Sequence, residues 1–299
     1  MTLAVLEMTG ERPGFQPATP ILKWVGGKRA LLAQINELLP TPRLGSRFFE
    51  PFLGGGAVSF SRTFANQIVA SDTNAELINL YSVVTKTPQE LIAELRAYRN
   101  EESFYYSIRD LDRGPDWAKT NSVQRAARIL YLNKTCFNGL YRVNSSGKFN
   151  TPFGNYVSPN YKNETAIIQL HEFLNGRLQD GQPRIVLNNS SYLETSSHGR
   201  EGDVFYFDPP YVPISPTASF TSYQSEGFNL EDQTKLRDEA LRLASIGASV
   251  LLSNSDTEVV RELYGNKKNF KIHTVSISRG LAAKPSARKK ITEVLISAR

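Results

Sequence analysis

The sequence predicts an α/β protein: a seven-stranded, mostly parallel sheet with an antiparallel hairpin at one edge, carrying an inserted second domain. Three observations support this. Seven short apolar runs centre on Phe48, Ile68, Ile185, Phe205, Leu251, His273 and Leu295, with the length and texture of buried strands. Helical patterns separate most of them, and such alternation builds a parallel sheet covered on both faces. A long stretch of different character lies between the second and third runs, which is where an insert would sit.

Taken in order, residues 1–20, with Pro13, Pro17 and Pro20, read as a flexible N-terminal arm. The first run enters Glu50-Pro51-Phe52-Leu53-Gly54-Gly55-Gly56, a glycine-rich turn, and a helix is expected over Ala57–Phe64. The second run, Gln67–Ser71, ends at Asp72 and is followed by a helical pattern over Ala75–Tyr81. Further helices are expected over Ile167–Leu174 and Leu230–Leu243. No helical pattern separates the last two runs; a loop, Arg279 to Lys290, joins them, so they pair as a hairpin. The sheet domain is expected over 21–83 and 165–299, and the insert over 84–164.

With 299 residues and 40% apolar content the chain can bury a large core. Its net charge of +6 suits a polyanionic partner. Cys136 is the single cysteine, which excludes an internal disulfide and a cysteine-based zinc site and points to a reducing, cytoplasmic setting. His171, His198 and His273 are scattered, so no metal is expected. No apolar run is long enough for a membrane span. The start of the chain lacks the cationic and apolar regions of a secretory signal.

The most informative motif is Asp208-Pro209-Pro210-Tyr211, placed where the run Val204–Phe207 leaves the sheet. The Asp208 carboxylate can accept one N–H of an exocyclic amine. The Pro209 carbonyl, stiffened by the following proline, can accept another. The Tyr211 ring offers a stacking face. Gly54 to Gly56 let the backbone approach a ligand closely. Asp72, at the end of the next strand, stands where an acid can grip ribose hydroxyls. The turn is not G-x-G-x-x-G, and the acid Glu50 at its mouth suits a cationic or zwitterionic ligand. Gly27-Lys28 lacks the spacing of a phosphate loop.

From Thr120 to Asn163 there is no Asp or Glu, but six cations: Arg125, Arg128, Lys134, Arg142, Lys148 and Lys162. Asparagines and aromatic residues are interleaved with them. Arg and Asn read guanine and adenine edges, and freedom from acids removes repulsion from phosphates. A second basic cluster, Lys284, Arg288, Lys289 and Lys290, lies in the last loop.

These motifs occur in order with Leu22-Lys23-Trp24-Val25-Gly26-Gly27-Lys28, Asn74–Tyr81, Asn138–Asn144, Asn150–Gly154 and Ser253–Thr257. Over roughly Leu22 to Ile296 the chain resembles the Dam-type DNA adenine-N6 methyltransferases, the α-group, D12 class with the Asp-Pro-Pro-Tyr motif. The resemblance implies a Rossmann-like class I methyltransferase fold with S-adenosylmethionine as cofactor and duplex DNA as partner. It implies methylation of adenine N6, at GATC, on a flipped-out base. Trp24, Lys28, Glu50, Pro51, Phe52, Gly54, Asp72 and Asp208 would surround the cofactor. Asp208, Pro209, Pro210 and Tyr211 would hold the adenine. Lys23, Phe137, Asn138, Leu140, Arg142, Asn144, Pro152 and Tyr156 would contact DNA, with Phe137 pushing into the duplex; Lys134 and Lys148 of the acid-free segment are expected to bind DNA through its phosphates. Relatives often carry an arginine pair just before Ser276, where this chain has Thr274-Val275, so a phosphate clamp there would be weakened, or moved to Arg279 and the Lys284–Lys290 loop. A monomer is expected, or a dimer on DNA, in a prokaryotic cell or encoded by a phage. The alternatives are methylation of cytosine N4 or of RNA adenine, and a catalytically silent DNA-binding subunit.

Overall fold

The structure is a computed structural model that describes residues 15–24, 26–213, 228–265, 268–278 and 290–298. All seven expected strands form: β1 (Phe48–Glu50), β2 (Ile68–Ser71), β3 (Ile185–Asn188), β4 (Val204–Phe207), β5 (Ser249–Ser255), β6 (Phe270–Ser278) and β7 (Lys290–Ala298). They make one sheet in the order β3-β2-β1-β4-β5-β7-β6. β1 runs parallel to β2 and β4, and β4 runs parallel to β5. β7 is antiparallel to both β5 and β6. The edge hairpin is therefore present, with its returning strand wedged inside the sheet. Strand order reverses at β1, so the ends of β1 and β4 border a topological switch point, where open α/β sheets bind ligands.

Among the described residues the α-helices are α1 (Leu32–Leu38), α2 (Ala75–Lys86), α3 (Pro88–Ala97), α4 (Glu102–Asp110), α5 (Ser122–Thr135), α6 (Glu164–Leu174), α7 (Tyr192–Ser196), α8 (Leu230–Ser245) and α9 (Glu258–Gly265). Their starts are chemically marked. The Asn74 side chain accepts from Leu77 N at the head of α2, and Asn229 and Asp232 close a reciprocal capping box on α8. None of these helices is long and apolar enough to cross a membrane.

The chain divides into two compact units. One takes the described parts of Met1–Gly27, Leu53–Gln67 and Asp72–Asn189; the other takes those of Lys28–Phe52, Ile68–Ser71 and Ser190–Arg299. The second unit has a core of Phe49, Phe205, Phe207, Leu236, Ala240, Leu243, Val250, Leu252 and Ile296, in which strand residues meet the apolar stripe of α8. In the first unit, Tyr131 of α5 packs edge-on against Tyr98 and Tyr161, and their hydroxyls bind backbone carbonyls of Arg99 (from Tyr131) and Tyr98 (from Tyr161). The residues expected as an insert, 84–164, lie wholly in this unit.

Two expectations are corrected. Ala57–Phe64 is not a helix; only a 3-10 turn, Ser59–Ser61, forms. The Phe60 carbonyl, which a helix would give to the N–H four residues on, accepts from Ala18 N at 2.9 Å instead. Residues 15–20 are not a loose arm. Phe15 N and Ala18 N donate to the carbonyls of Thr63 and Phe60, and the Phe15 ring lies 4.1 Å from the buried Arg184 guanidinium. Residues 1–14 of the expected arm, Arg279 and the cluster Lys284, Arg288 and Lys289 lie outside the described residues.

Candidate active site

β4 ends at Phe207 and hands the chain to Asp208, whose side chain is about one-fifth exposed (21%). Asp208 Oδ2 lies 2.8 Å from Lys28 Nζ, and Oδ1 accepts from Ser253 Oγ at 2.8 Å. Burial pushes its carboxyl above the usual carboxylate range, while the Lys28 ammonium and the Ser253 hydroxyl pull it back. The rest of the loop is braced by buried amides. Gln233 Nε2 donates to the Pro210 carbonyl at 2.9 Å, and Asn254 Nδ2 donates to Gln233 Oε1 at 3.0 Å. Asn254 Oδ1 accepts from Val212 N at 3.1 Å. Tyr211 donates to Glu293 Oε2 at 2.9 Å, and its ring centroid is 4.8 Å from Lys28 Nζ. Tyr211 is pushed far up by burial and by the charges of Asp208 and Glu293, so it remains a neutral ring. In the same unit Glu50 is buried at the end of β1, Pro51 O accepts from Ser71 Oγ at 3.4 Å, and Phe52 stacks on Tyr192 at 5.2 Å.

The first unit carries the other residues expected around a cofactor. Gly54 has φ +48°, and a Cβ there would lie 2.7 Å from Trp24 Cδ1, so only glycine fits. Trp24 in turn stacks on Tyr141 at 5.2 Å. Gly54 N and Asn74 N donate to the two oxygens of Asp72, each at 2.9 Å. Burial raises the Asp72 carboxyl despite these two bonds. Each oxygen keeps further acceptor capacity, which fits the hydroxyls of a ribose. The chain itself joins the two groups of residues: Leu53 follows Phe52, and Asp72 follows Ser71.

The first unit also holds the expected DNA-contacting residues, brought together by one side chain that the sequence reading missed. Asn133, fully buried on α5, accepts from Lys23 N at 2.8 Å and donates to the carbonyls of Lys23 (2.6 Å) and Gly139 (3.3 Å). Gly139 has φ +65°, and a Cβ there would meet Lys23 Cδ at 2.7 Å. Lys23 Nζ reaches to 5.0 Å from the Tyr156 ring centroid. The turn Phe137–Gly139 is pinned by Phe137 N donating to Pro152 O, with Asn138 in the left-handed region at φ 56°. Phe137 is 52% exposed, and Asn138, Leu140, Arg142 and Asn144 are exposed as well. Arg142 Nε donates to Asn150 Oδ1 at 2.8 Å. Asn144 Oδ1 accepts from the backbone N–H groups of Ser146 and Lys148, so its carbonyl forms a turn and only its amide nitrogen is left to read a base. Lys134 and Lys148 are half-buried.

The family model described as "D12 class N6 adenine-specific DNA methyltransferase" matches residues 24–280. The chain belongs to that family. It is 41% identical over 280 residues to "Type II methyltransferase M1.LlaDCHI" of Lactococcus lactis subsp. cremoris, covering 93% of this chain and 94% of that one. It is 37% identical over 295 residues to "Type II methyltransferase M.MjaIII" of Methanocaldococcus jannaschii, covering 93% and 98%. Against the "DNA adenine methylase" of Escherichia coli (strain K12) it is 34% identical over 279 residues, covering 92% and 93%. This is a site-specific adenine-N6 DNA methyltransferase, and its sheet is the class I methyltransferase fold.

In this methyltransferase the acid-free segment is less basic in space than in sequence. Arg125 pairs with Glu76, and Arg128, buried, pairs with Asp112 at 2.8 Å. Both guanidinium groups lie 4.9 Å from the Trp117 ring. These two cations are neutralised by acids from outside the segment, so they are structural. Burial pushes the Cys136 thiol up to about 11, which leaves it unreactive near neutral pH. The residues missed around Asp208 and Tyr211 are Gln233, Asn254, Ser253 and Glu293. The run Ser253–Thr257 marked the place of two of them without a role; nothing local distinguishes Gln233 or Glu293.

Proposed function

We propose that this methyltransferase uses S-adenosylmethionine to methylate N6 of the adenine in GATC within duplex DNA, with the base flipped out of the helix. The observation that supports it most is the preparation of Asp208: a carboxylate at the switch-point end of β4, fixed through both oxygens, beside the rigid Pro209-Pro210 step. Among the described residues nothing donates to the Pro209 carbonyl, whereas the Pro210 carbonyl is taken by Gln233. One carboxylate oxygen and one carbonyl thus suit the two N–H bonds of an amino group. When bound, S-adenosylmethionine supplies a methyl group already activated by its sulfonium charge. Asp208 and Pro209 would draw positive charge from the amino nitrogen as it develops, and Tyr211 would hold the ring in line. A paired base cannot reach these groups, hence the flipping. Asp72 and Gly54, with Trp24, Lys28, Glu50, Pro51 and Phe52, would hold the cofactor.

Residues 84–164 would act as the recognition insert, with Phe137 entering the stack and Arg142 reading guanine; Lys23 would add a contact to the outer guanine. Asn138, Leu140, Pro152 and Tyr156 would complete the surface, and Lys134 and Lys148 would meet phosphates. The working form would be a monomer in the cytoplasm of a prokaryotic cell. The test is to express the protein in a host without adenine methylation and sequence the host DNA for modified bases. N6-methyladenine at the second base of GATC is expected. N4-methylcytosine, or methyladenine spread outside GATC, would overturn the base or the site.

A further inference from the structure

Glu293 sits on β7 with 3% of its surface exposed, opposite Ser255 of β5 and Val275 of β6. A carboxylate in the interior of a sheet is expensive unless it is bound. The side chain reaches the loop after β4, where its Oε2 accepts from the Tyr211 hydroxyl at 2.9 Å. Tyr211 is thereby held at its far end by Glu293, with Lys28 Nζ 4.8 Å from its ring centroid. The same ammonium is 2.8 Å from Asp208. Glu293, Tyr211, Lys28 and Asp208 therefore form one cluster spanning β7, the loop, the turn Lys28–Leu31 and the end of β4.

We propose that Glu293 is a positioning residue of the methyl-transfer site, which fixes the direction of the Tyr211 ring's long axis through the Tyr211 hydroxyl and adds its negative charge to the surroundings of Asp208. This rests on the reading of Asp208 and Tyr211 as the adenine-holding groups. The hydroxyl oxygen lies on the ring's long axis, so anchoring it fixes where that axis points and where the far end of the ring lies. A stacked base takes its place from that ring, and so does the line between the attacking nitrogen and the methyl group. The charge has a separate effect. Asp208 faces Lys28 from the 3-10 turn, Tyr206 from its own strand, Ser253 from β5, Tyr211 from its own loop and Glu293 from β7. Of these, Lys28 and Ser253 favour the ionised carboxylate, and Glu293 opposes it. Glu50 acts on the neighbouring Tyr206. Glu293 thus stands against Lys28 in setting the acidity of Asp208.

The experiment uses the full chain with S-adenosylmethionine and a GATC duplex, comparing wild type, Tyr211→Phe, Glu293→Gln, Glu293→Ala and the double variant Tyr211→Phe/Glu293→Ala. Tyr211→Phe and Glu293→Ala should each lower the single-turnover rate roughly tenfold or more, the range for a hydrogen bond to a charged group. The double variant should be no slower than the worse single one, because both remove the same bond. Glu293→Gln keeps an acceptor and should retain most of the rate. It should also move the acid limb of the rate–pH profile to lower pH, since the charge opposing Asp208 ionisation is gone. Losses that multiply in the double variant, or a Glu293→Gln profile superimposable on wild type, overturn the proposal. If Glu293→Ala does not fold, Glu293→Gln and Tyr211→Phe still decide it through the pH profile and the rate. Near wild-type rates in Asp208→Ala would sink the underlying reading instead, which is a different result from an active enzyme indifferent to Glu293.

Discussion

In the loop Asp208–Tyr211 the polar groups are held by buried partners: Asp208 by Lys28 and Ser253, the Pro210 carbonyl by Gln233, the Tyr211 hydroxyl by Glu293. In the segment from Lys134 to Tyr156 the backbone is held, by Asn133, Pro152 and the Asn144 turn, while Phe137, Asn138, Leu140 and Arg142 stand in solvent. The contrast matches the two tasks proposed for these regions. Stabilising charge on a reacting nitrogen requires dipoles fixed before the reaction, which suits an Asp208 carboxylate tied through both oxygens. Reading base edges requires side chains that water releases easily and that adapt to a groove, on a backbone rigid enough to set their register.

The sharpest way to break this comparison is Asp208→Ala. It should lower the single-turnover rate by about a hundredfold or more, the loss typical of one missing electrostatic contact, while DNA and cofactor still bind. A folded variant that methylates near the wild-type rate would show that the braced loop is not where the chemistry happens. The effect of Arg142→Ala should be smaller and of a different kind. Discrimination at one outer base pair should relax by about 1–3 kcal/mol, with the central adenine still obligatory. Mapping modified adenines on a mixed DNA pool checks this; an even loss across all sites would assign Arg142 to the scaffold. The smallest effect concerns charge. Lys148→Ala should lower the slope of log affinity against log salt by about 0.9, the value for one phosphate contact, whereas Arg125→Gln should leave it unchanged. Equal changes for both in a salt titration would mean that the Glu76 pairing of Arg125 does not withdraw it from DNA.

The pattern of strands and helices was legible because burial on both faces of a parallel sheet demands apolar runs, and helices between them demand a different period. Ala57–Phe64 misled because the Phe60 carbonyl is taken by Ala18 N, a partner distant in sequence. The first-unit docking of Phe15 and Ala18 could not be read, since their partners Thr63, Phe60 and Arg184 are distant in sequence.

The sequence by itself determined the short-range motifs: Asp208 to Tyr211 after an apolar strand, the glycine turn Gly54 to Gly56, and Asp72 at the next strand's end. It also determined the family, because so many short motifs fall in one order. Only the tertiary structure decided what each of these groups touches. It placed Lys28 on Asp208, Glu293 on Tyr211, Asn133 between Lys23 and Gly139, and neutralised Arg125 and Arg128 with Glu76 and Asp112. The physical reason is that local spacing constrains backbone geometry, whereas the partner of a buried polar group is whichever residue the packing brings within 3 Å, roughly the length of a hydrogen bond, and that residue is separated along the chain by distances no local pattern records.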